Sequence, residues 1–268
     1  MALVVGLILL LLLWVLIVYQ IFDRRRINRI WRSLDEEGGG KVFSGRMVAG
    51  LPPIAQRYFS HAIQQGTPLA ASVQLGISGS VKAQKDARST WMSLEATQIL
   101  SPQKGFVWRA KIRKGLIHFR EIDHYHEGSG RIAFRAFRIL PVLSAAGDDG
   151  AKSAVGRLVM DSVLLPVGLL PQQGVKWEAS DAEHAKVTCT VKDEKVTLML
   201  GINAEGALRD VVMERWGDFT DDGKYDYVPF GMVVDEEKSF NGYTIPSKIR
   251  GGWWYGTDKY VESMRLSV

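Results

Sequence analysis

Between residues 105 and 142 the apolar side chains recur at every second position in run after run. That is the period of a half-buried β-strand and not of a helix. Phe106, Trp108, Ala110 and Ile112 fall on one face, and Val107, Arg109, Lys111 and Arg113 on the other. A slip of one residue would drive three cations into the core, so the register is strongly set. Lys114-Gly115 and Gly128-Ser129-Gly130 supply turns, which divide the stretch into three strands of an antiparallel meander. The middle strand carries Asp123-His124-Tyr125-His126, the densest ionisable cluster in the chain.

The run of residues 2–22 has Gln20 as its only strongly polar side chain. At about 1.5 Å per residue it covers roughly 30 Å, the thickness of a hydrocarbon core, and it reads as a single transmembrane anchor occupying residues 1–23. A cleaved signal peptide would need a basic start, a shorter apolar core and a small-residue cleavage site, and none of these is present. Arg24, Arg25, Arg26, Arg29 and Arg32 follow the run and no cation precedes it. The positive-inside bias then puts the protein in an inner membrane with its amino terminus outside and its domain in the cytoplasm. Residues 24–46 read as a basic juxtamembrane segment in which Ile27, Ile30 and Trp31 make a short interfacial helix, closed by a Gly38-Gly39-Gly40 hinge.

Residues 47–268 show no linker, so they read as one β-rich domain. The chain has 34 Lys and Arg against 29 Asp and Glu; without the five flanking arginines and Asp23, Asp35, Glu36 and Glu37 the counts are 29 against 25. That balance argues against a nucleic-acid partner. Cys189 is the single cysteine, which excludes an internal disulfide and a multi-cysteine metal site, and its strand context makes it a buried, inert thiol. Residues 51–64 carry a helical stripe behind Pro52 and Pro53, and residues 151–165 carry a second that stops at Pro166. His61, beside the first stripe, reads as a packed or solvated side chain. Strands are expected at 72–85 and 88–100, and beyond Pro171 at 175–179, 184–191, 195–202, 207–216, 232–240, 243–254 and 259–267. About a dozen twisted strands in one antiparallel sheet tend to curl. The expected fold is α+β, mostly β: a curved antiparallel sheet, half-barrel or open barrel, with two helices, the second a plug in the concave face.

LPPIAQRYF from Leu51, GFVWRA from Gly105, DHYHEGSG from Asp123, AVGRLVMDSVLLPVGLLP from Ala154, VKWEA from Val175 and GYTIPSKIRGGWWYGTDKY from Gly242 together resemble an uncharacterised bacterial family of unknown function. The resemblance implies no activity and no cofactor. By strand count and helix placement the expected architecture is also similar to the curved-sheet lipoprotein carriers, which hold acyl chains in a concave apolar cavity. That is a fold-level analogy.

Two functions follow for comparison. One is a non-catalytic, membrane-tethered module that binds a lipid or other apolar ligand, with Trp108, Tyr125, Trp253, Trp254 and Tyr255 as its contact residues. Eight tryptophans, ten phenylalanines and eight tyrosines can line such a cavity or simply fill a core. Of Trp253 and Trp254, adjacent on a strand, one is expected inside and the other at a rim, unless a helix covers both. The other function is a metal-dependent hydrolase using His124 and His126, with His118 on the same strand face, against the plainer reading that these histidines are solvated. Asp123 and Tyr125 point to the opposite, packed face. There the carboxylate needs a cationic partner, and Arg57 or Arg157 is expected to supply it in a structural ion pair.

Overall fold

The computed structural model describes residues 2–82, 90–102, 104–136 and 140–268. Thirteen strands form one antiparallel sheet: β1 (Val73–Val81), β2 (Met92–Ser101), β3 (Gly105–Lys114), β4 (Ile117–His126), β5 (Ser129–Ala136), β6 (Leu140–Ala145), β7 (Lys176–Ala179), β8 (His184–Val191), β9 (Glu194–Ile202), β10 (Leu208–Gly217), β11 (Asp226–Phe240), β12 (Tyr243–Trp253) and β13 (Val261–Ser267). Their order is β6-β5-β4-β3-β2-β1-β13-β12-β11-β10-β9-β8-β7, so β6 and β7 are free edges and the sheet is open. Two meanders, β1–β6 and β7–β12, are joined through β13, which lies between β1 and β12.

The stretch expected as three strands is four. Its last part divides into β5 and β6, and Pro141 falls on β6, an edge strand, where proline is tolerated. The ends of the strands expected over 72–85 and 88–100 reach into residues outside those described. The strand expected over 232–240 begins at Asp226 instead, because Val228 and Phe230 face the core and extend the ladder with β10.

Three α-helices accompany the sheet: α1 (Ala2–Leu34), α2 (Pro53–Ala62) and α3 (Gly147–Asp161). Gln56 ties the start of α2 by donating from Nε2 to the carbonyls of Leu51 and Ala49 at 2.8 and 3.2 Å, and Ile54, Ala55, Tyr58, Phe59 and Ala62 are its buried stripe. α3 starts four residues earlier than its apolar stripe suggests. Asp148 and Asp149 in its first turn favour that end electrostatically. Three short 3-10 turns, Ser162–Leu164, Pro166–Leu169 and Pro171–Gln173, continue from it.

α3 touches β4 and β5 from one arm of the sheet and β9 and β10 from the other, so the sheet curls around it. Curling brings the two arms together where Lys192 Nζ, in the β8–β9 turn, donates to the carbonyl of Glu127 in the β4–β5 turn. Close approach of α3 to β5 depends on Gly130, where an added Cβ would lie 2.6 Å from Ala151 Cα and 2.9 Å from Ala154 Cβ. The main core fills this concave face, with Phe59, Leu100, Phe106, Leu158, Leu169, Leu170 and Leu198 among its fully buried side chains.

The opposite face differs most from expectation. α1 runs unbroken past Phe22 to Leu34 and lays Ile27, Ile30 and Leu34 on Ile99 and Val107, so these side chains of residues 24–34 pack on the sheet. Gly38-Gly39-Gly40 is not a loose hinge. A Cβ on Gly38 would strike the Leu69 carbonyl, and the next residues are paired through Leu69 N to Lys41 O at 2.8 Å and Phe43 N to Thr67 O at 2.8 Å. Among the described residues, no helix is long and apolar enough to cross a membrane.

Candidate functional site

Alternation on three adjacent strands aims a polar row into the concave face. Gln98, Trp108 and Asp123 are direct cross-strand partners on β2, β3 and β4, and Glu121 follows in the next row opposite Ala110. Arg157 and Asp161, one turn apart on α3, come down onto this row. Arg157 Nη1 reaches Asp123 Oδ2 at 2.7 Å and its Nε lies 3.4 Å from Asp161 Oδ2. Gln98 Nε2 donates to the same Asp161 oxygen at 2.9 Å, and Trp108 Nε1 donates to Glu121 Oε2 at 3.2 Å. From the facing arm, Arg215 of β10 adds a second guanidinium, 4.9 Å from the Phe230 ring centre and 5.2 Å from that of Trp253. Arg157 lies similarly over Trp108 at 4.6 Å and Phe106 at 5.0 Å.

Three carboxyls thus meet two guanidiniums in a buried space. Burial first, and then its neighbour Glu121, raise the Asp123 carboxyl well above the usual range against the pull of Arg157. Burial likewise raises Glu121. Burial works against the charge of Arg157, but Asp161, Asp123 and Glu121 outweigh it and raise its pKa. Arg215 is pushed down to about 10, by burial and then by Arg157. Burial and the mutual repulsion of Glu121 and Asp123 both work against a second negative charge on the pair. Asp123 Oδ1 and Arg215 Nε have no hydrogen-bond partner among the described residues.

Of the expected contact residues, Trp108 and Trp253 belong to this site. Trp253 is 8% exposed and stacks on Phe219 with ring centres 4.0 Å apart. Tyr125 is buried one row away, paired with Phe106 and Gly130. Trp254 and Tyr255 lie apart from it. β12 ends at Trp253, and Trp254 turns into the left-handed region at φ 59°, so strand alternation does not govern it. It is half-buried, donates from Nε1 to the Phe219 carbonyl at 2.9 Å and has Lys259 5.1 Å from its ring centre. Tyr255 packs over Gly231, edge-on to Tyr260.

Arg157, not Arg57, is the partner of Asp123. Arg57 is spent on backbone carbonyls, those of Ala182 at 2.9 Å and Asn203 at 3.1 Å, because α2 packs over the β7–β8 end of the sheet. The histidines do not converge either. His118 is exposed opposite Arg113, while His124 and His126 lie under α1 on a face that is covered rather than solvated. His126 Nε2 is 3.2 Å from Ser33 Oγ. His124 has no hydrogen-bond partner on either ring nitrogen among the described residues, and burial, followed by Arg26, lowers its pKa to about 4. Among the described residues no group of three His, Cys, Asp or Glu could hold a metal ion. Cys189 is buried and its thiol is pushed up to about 12 by that burial.

Gln98, Glu121, Asp161 and Arg215 were not among the residues singled out from the sequence. The i, i+4 spacing of Arg157 and Asp161 was a legible signal. Arg215 had none, since only the curl of the sheet carries β10 to face β4.

Residues 41–263 match the family of unknown function DUF6544. No curated protein matches the sequence. Two solved structures are similar at low identity. One is a domain from Vibrio parahaemolyticus assigned by name to outer membrane lipoprotein sorting, at 11% identity and TM-score 0.38 over 80% of this chain and 88% of that one. The other is a LolA superfamily protein from Nitrosomonas europaea, at 9% identity and TM-score 0.39 over 80% of this chain and 89% of that one. Similarity this distant says nothing of what the present chain binds.

Proposed function

The chain belongs to the DUF6544 family, whose description assigns no activity, and we propose that it is a membrane-anchored, non-catalytic module that holds a lipid or other apolar ligand with a polar end in the concave face of its sheet. The observation that carries this reading is the aromatic wall of Phe106, Trp108, Phe230 and Trp253 around two guanidiniums, one of which has a buried Nε with no hydrogen-bond partner among the described residues. Apolar walls with a few convergent polar groups are what small-molecule sites are made of. Among the described residues Arg215 Nε and Asp123 Oδ1 are buried without a hydrogen-bond partner, and the polar end of a ligand would satisfy such groups.

The anchor is proposed from the sequence of residues 2–22 together with the continuity of α1, whose Leu7, Leu10, Leu11, Trp14 and Phe22 are exposed while its last turns are buried against the domain. The arginines that follow the run favour a cytoplasmic domain. A reporter active only in the periplasm, fused after Val268, is then expected to stay dark, and strong activity would reverse the orientation.

Native mass spectrometry of the full chain released from mild detergent tests the ligand. The wild-type protein is expected to carry a co-purifying lipid-class mass that Arg215→Leu loses while remaining folded. Wild-type protein that is uniformly ligand-free, even after incubation with total membrane lipid extract, would overturn the reading.

A further inference from the structure

The sheet's other face carries a groove of about 540 Å³ between α1 and β2–β4. Its walls are basic: Arg24 from α1, Arg109 and Lys111 from β3, and Arg120 from β4. Cross-strand pairing puts Lys111 beside both Arg120 and Glu95, and Glu95 is the acid that faces into the groove. Glu121 also lines it, but its carboxylate turns to Trp108 Nε1 on the concave side. The floor is apolar, with Ile27 from the helix and Ile122 from the sheet. Arg109 is held in place rather than mobile, donating from Nη2 to Asn28 Oδ1 at 2.9 Å with its guanidinium 4.6 Å from the Trp31 ring centre.

Cations outnumber acids along this recess, Arg24, Arg109, Lys111 and Arg120 against Glu95 and Glu121, and an anion seated there is stabilised by that excess. The position of the recess says which anion. Arg24 follows the apolar run of α1 directly, so a groove that starts at Arg24 opens at the depth where an anchored helix leaves the hydrocarbon for the headgroups. We propose that this groove binds the phosphate of an anionic phospholipid whose acyl chains lie along the exposed side of α1. The groove would thereby set the domain at a fixed height and tilt on the membrane. It is separate from the concave site and rests only on the anchored reading of α1.

The test uses the full chain in neutral detergent micelles with short-chain phosphatidylglycerol or phosphatidylcholine added, read by native mass spectrometry. Phosphatidylglycerol is expected to be retained and phosphatidylcholine not. Arg24→Gln with Lys111→Gln should weaken phosphatidylglycerol binding about thirtyfold, the loss of two cation contacts at a membrane surface. Lys186→Gln with Lys195→Gln, which removes the same charge from β8 and β9, should leave it unchanged. Equal retention of both lipids, equal loss in both double variants, or displacement of phosphatidylglycerol by an equal concentration of inorganic phosphate would each overturn the proposal. Alkaline extraction of the wild-type protein from membranes reports on the anchor separately. Release into the soluble fraction would remove the anchored reading on which the groove's ligand depends, whereas retention with any of the three outcomes above would remove the groove alone.

Discussion

At the level of single residues, the concave cluster is asymmetric, and its asymmetry makes a prediction. Arg157 is shared between Asp123 and Asp161, and burial and Glu121 already disfavour the Asp123 charge, so Asp123→Asn, which keeps the shape and leaves Arg157 paired with Asp161, is the milder change. It should cost about 1 kcal/mol or less in chemical denaturation in micelles, the scale of one net hydrogen bond. Arg157→Leu leaves the buried Asp123 and the half-buried Glu121 and Asp161 facing Arg215 alone and should cost about 3–5 kcal/mol. Comparable losses in the two variants would show that the Asp123 charge matters as much as that of Arg157. His124 contributes a pH dependence of its own. Its folded pKa of about 4 lies below the ordinary 6.5, so the unfolded chain takes up a proton first as pH falls. Its contribution is fully present above 6.5 and is lost between 6.5 and 4, on the order of 3 kcal/mol over that window. A denaturation series on His124→Leu should show a flatter acid limb than wild type over that interval; superimposable limbs would rule His124 out as the source.

At the level of elements, α1 changes character along its length. Its first part is exposed and its last turns are core, sealed by Leu34 with no exposed surface and by Ile27 at 3% exposure. Cys189 is buried, so a cysteine pair can report on the docked helix without competition. Ser33→Cys with His126→Cys, whose native side chains are 3.2 Å apart, is expected to oxidise readily. Adding Leu34→Asp should abolish that cross-link by burying a charge against Ile99 and Val107, while the concave core, read by near-ultraviolet dichroism, survives. Persistence of the cross-link in the Leu34→Asp background would mean that α1 is held by something other than this apolar seam. α3 plays the matching role inside. Bridging β4 and β5 to β9 and β10, it ties together contacts far apart in sequence, so the two meanders should unfold as one unit.

At the level of the whole molecule, the two faces of one sheet carry different helices, α3 on the concave side and α1 on the other. Truncation separates them. Deleting residues 2–22 should leave a folded domain that stays monodisperse on size exclusion, because α1 keeps the turns that cover Ile99, Val107 and Ile122. Deleting residues 2–34 uncovers that patch and should produce self-association at the same concentration. Identical behaviour of the two truncations would mean that the patch is not exposed by losing the helix.

Strands, their faces and most turns were readable from the chain because alternation is a local property, settled by which side chains can bear water. So was the need of Asp123 for a cation, since an unpaired buried charge is too expensive to keep. The choice of Arg157 over Arg57 was not readable, because each sits on a helix and only the docking of α3, rather than α2, over β4 brings one of them to the carboxylate. Nor was the burial of His124 and His126. Their face looks solvated in the sequence of β4 alone, and becomes interior only when residues 24–34, some ninety positions away, lie across it. Arg215 makes the same point at longer range, its role being created by the curl of thirteen strands around a helix. Periodicity decides what each element shows to its two sides, whereas the partner on each side comes from packing between distant elements, an energy that no local stretch of sequence contains.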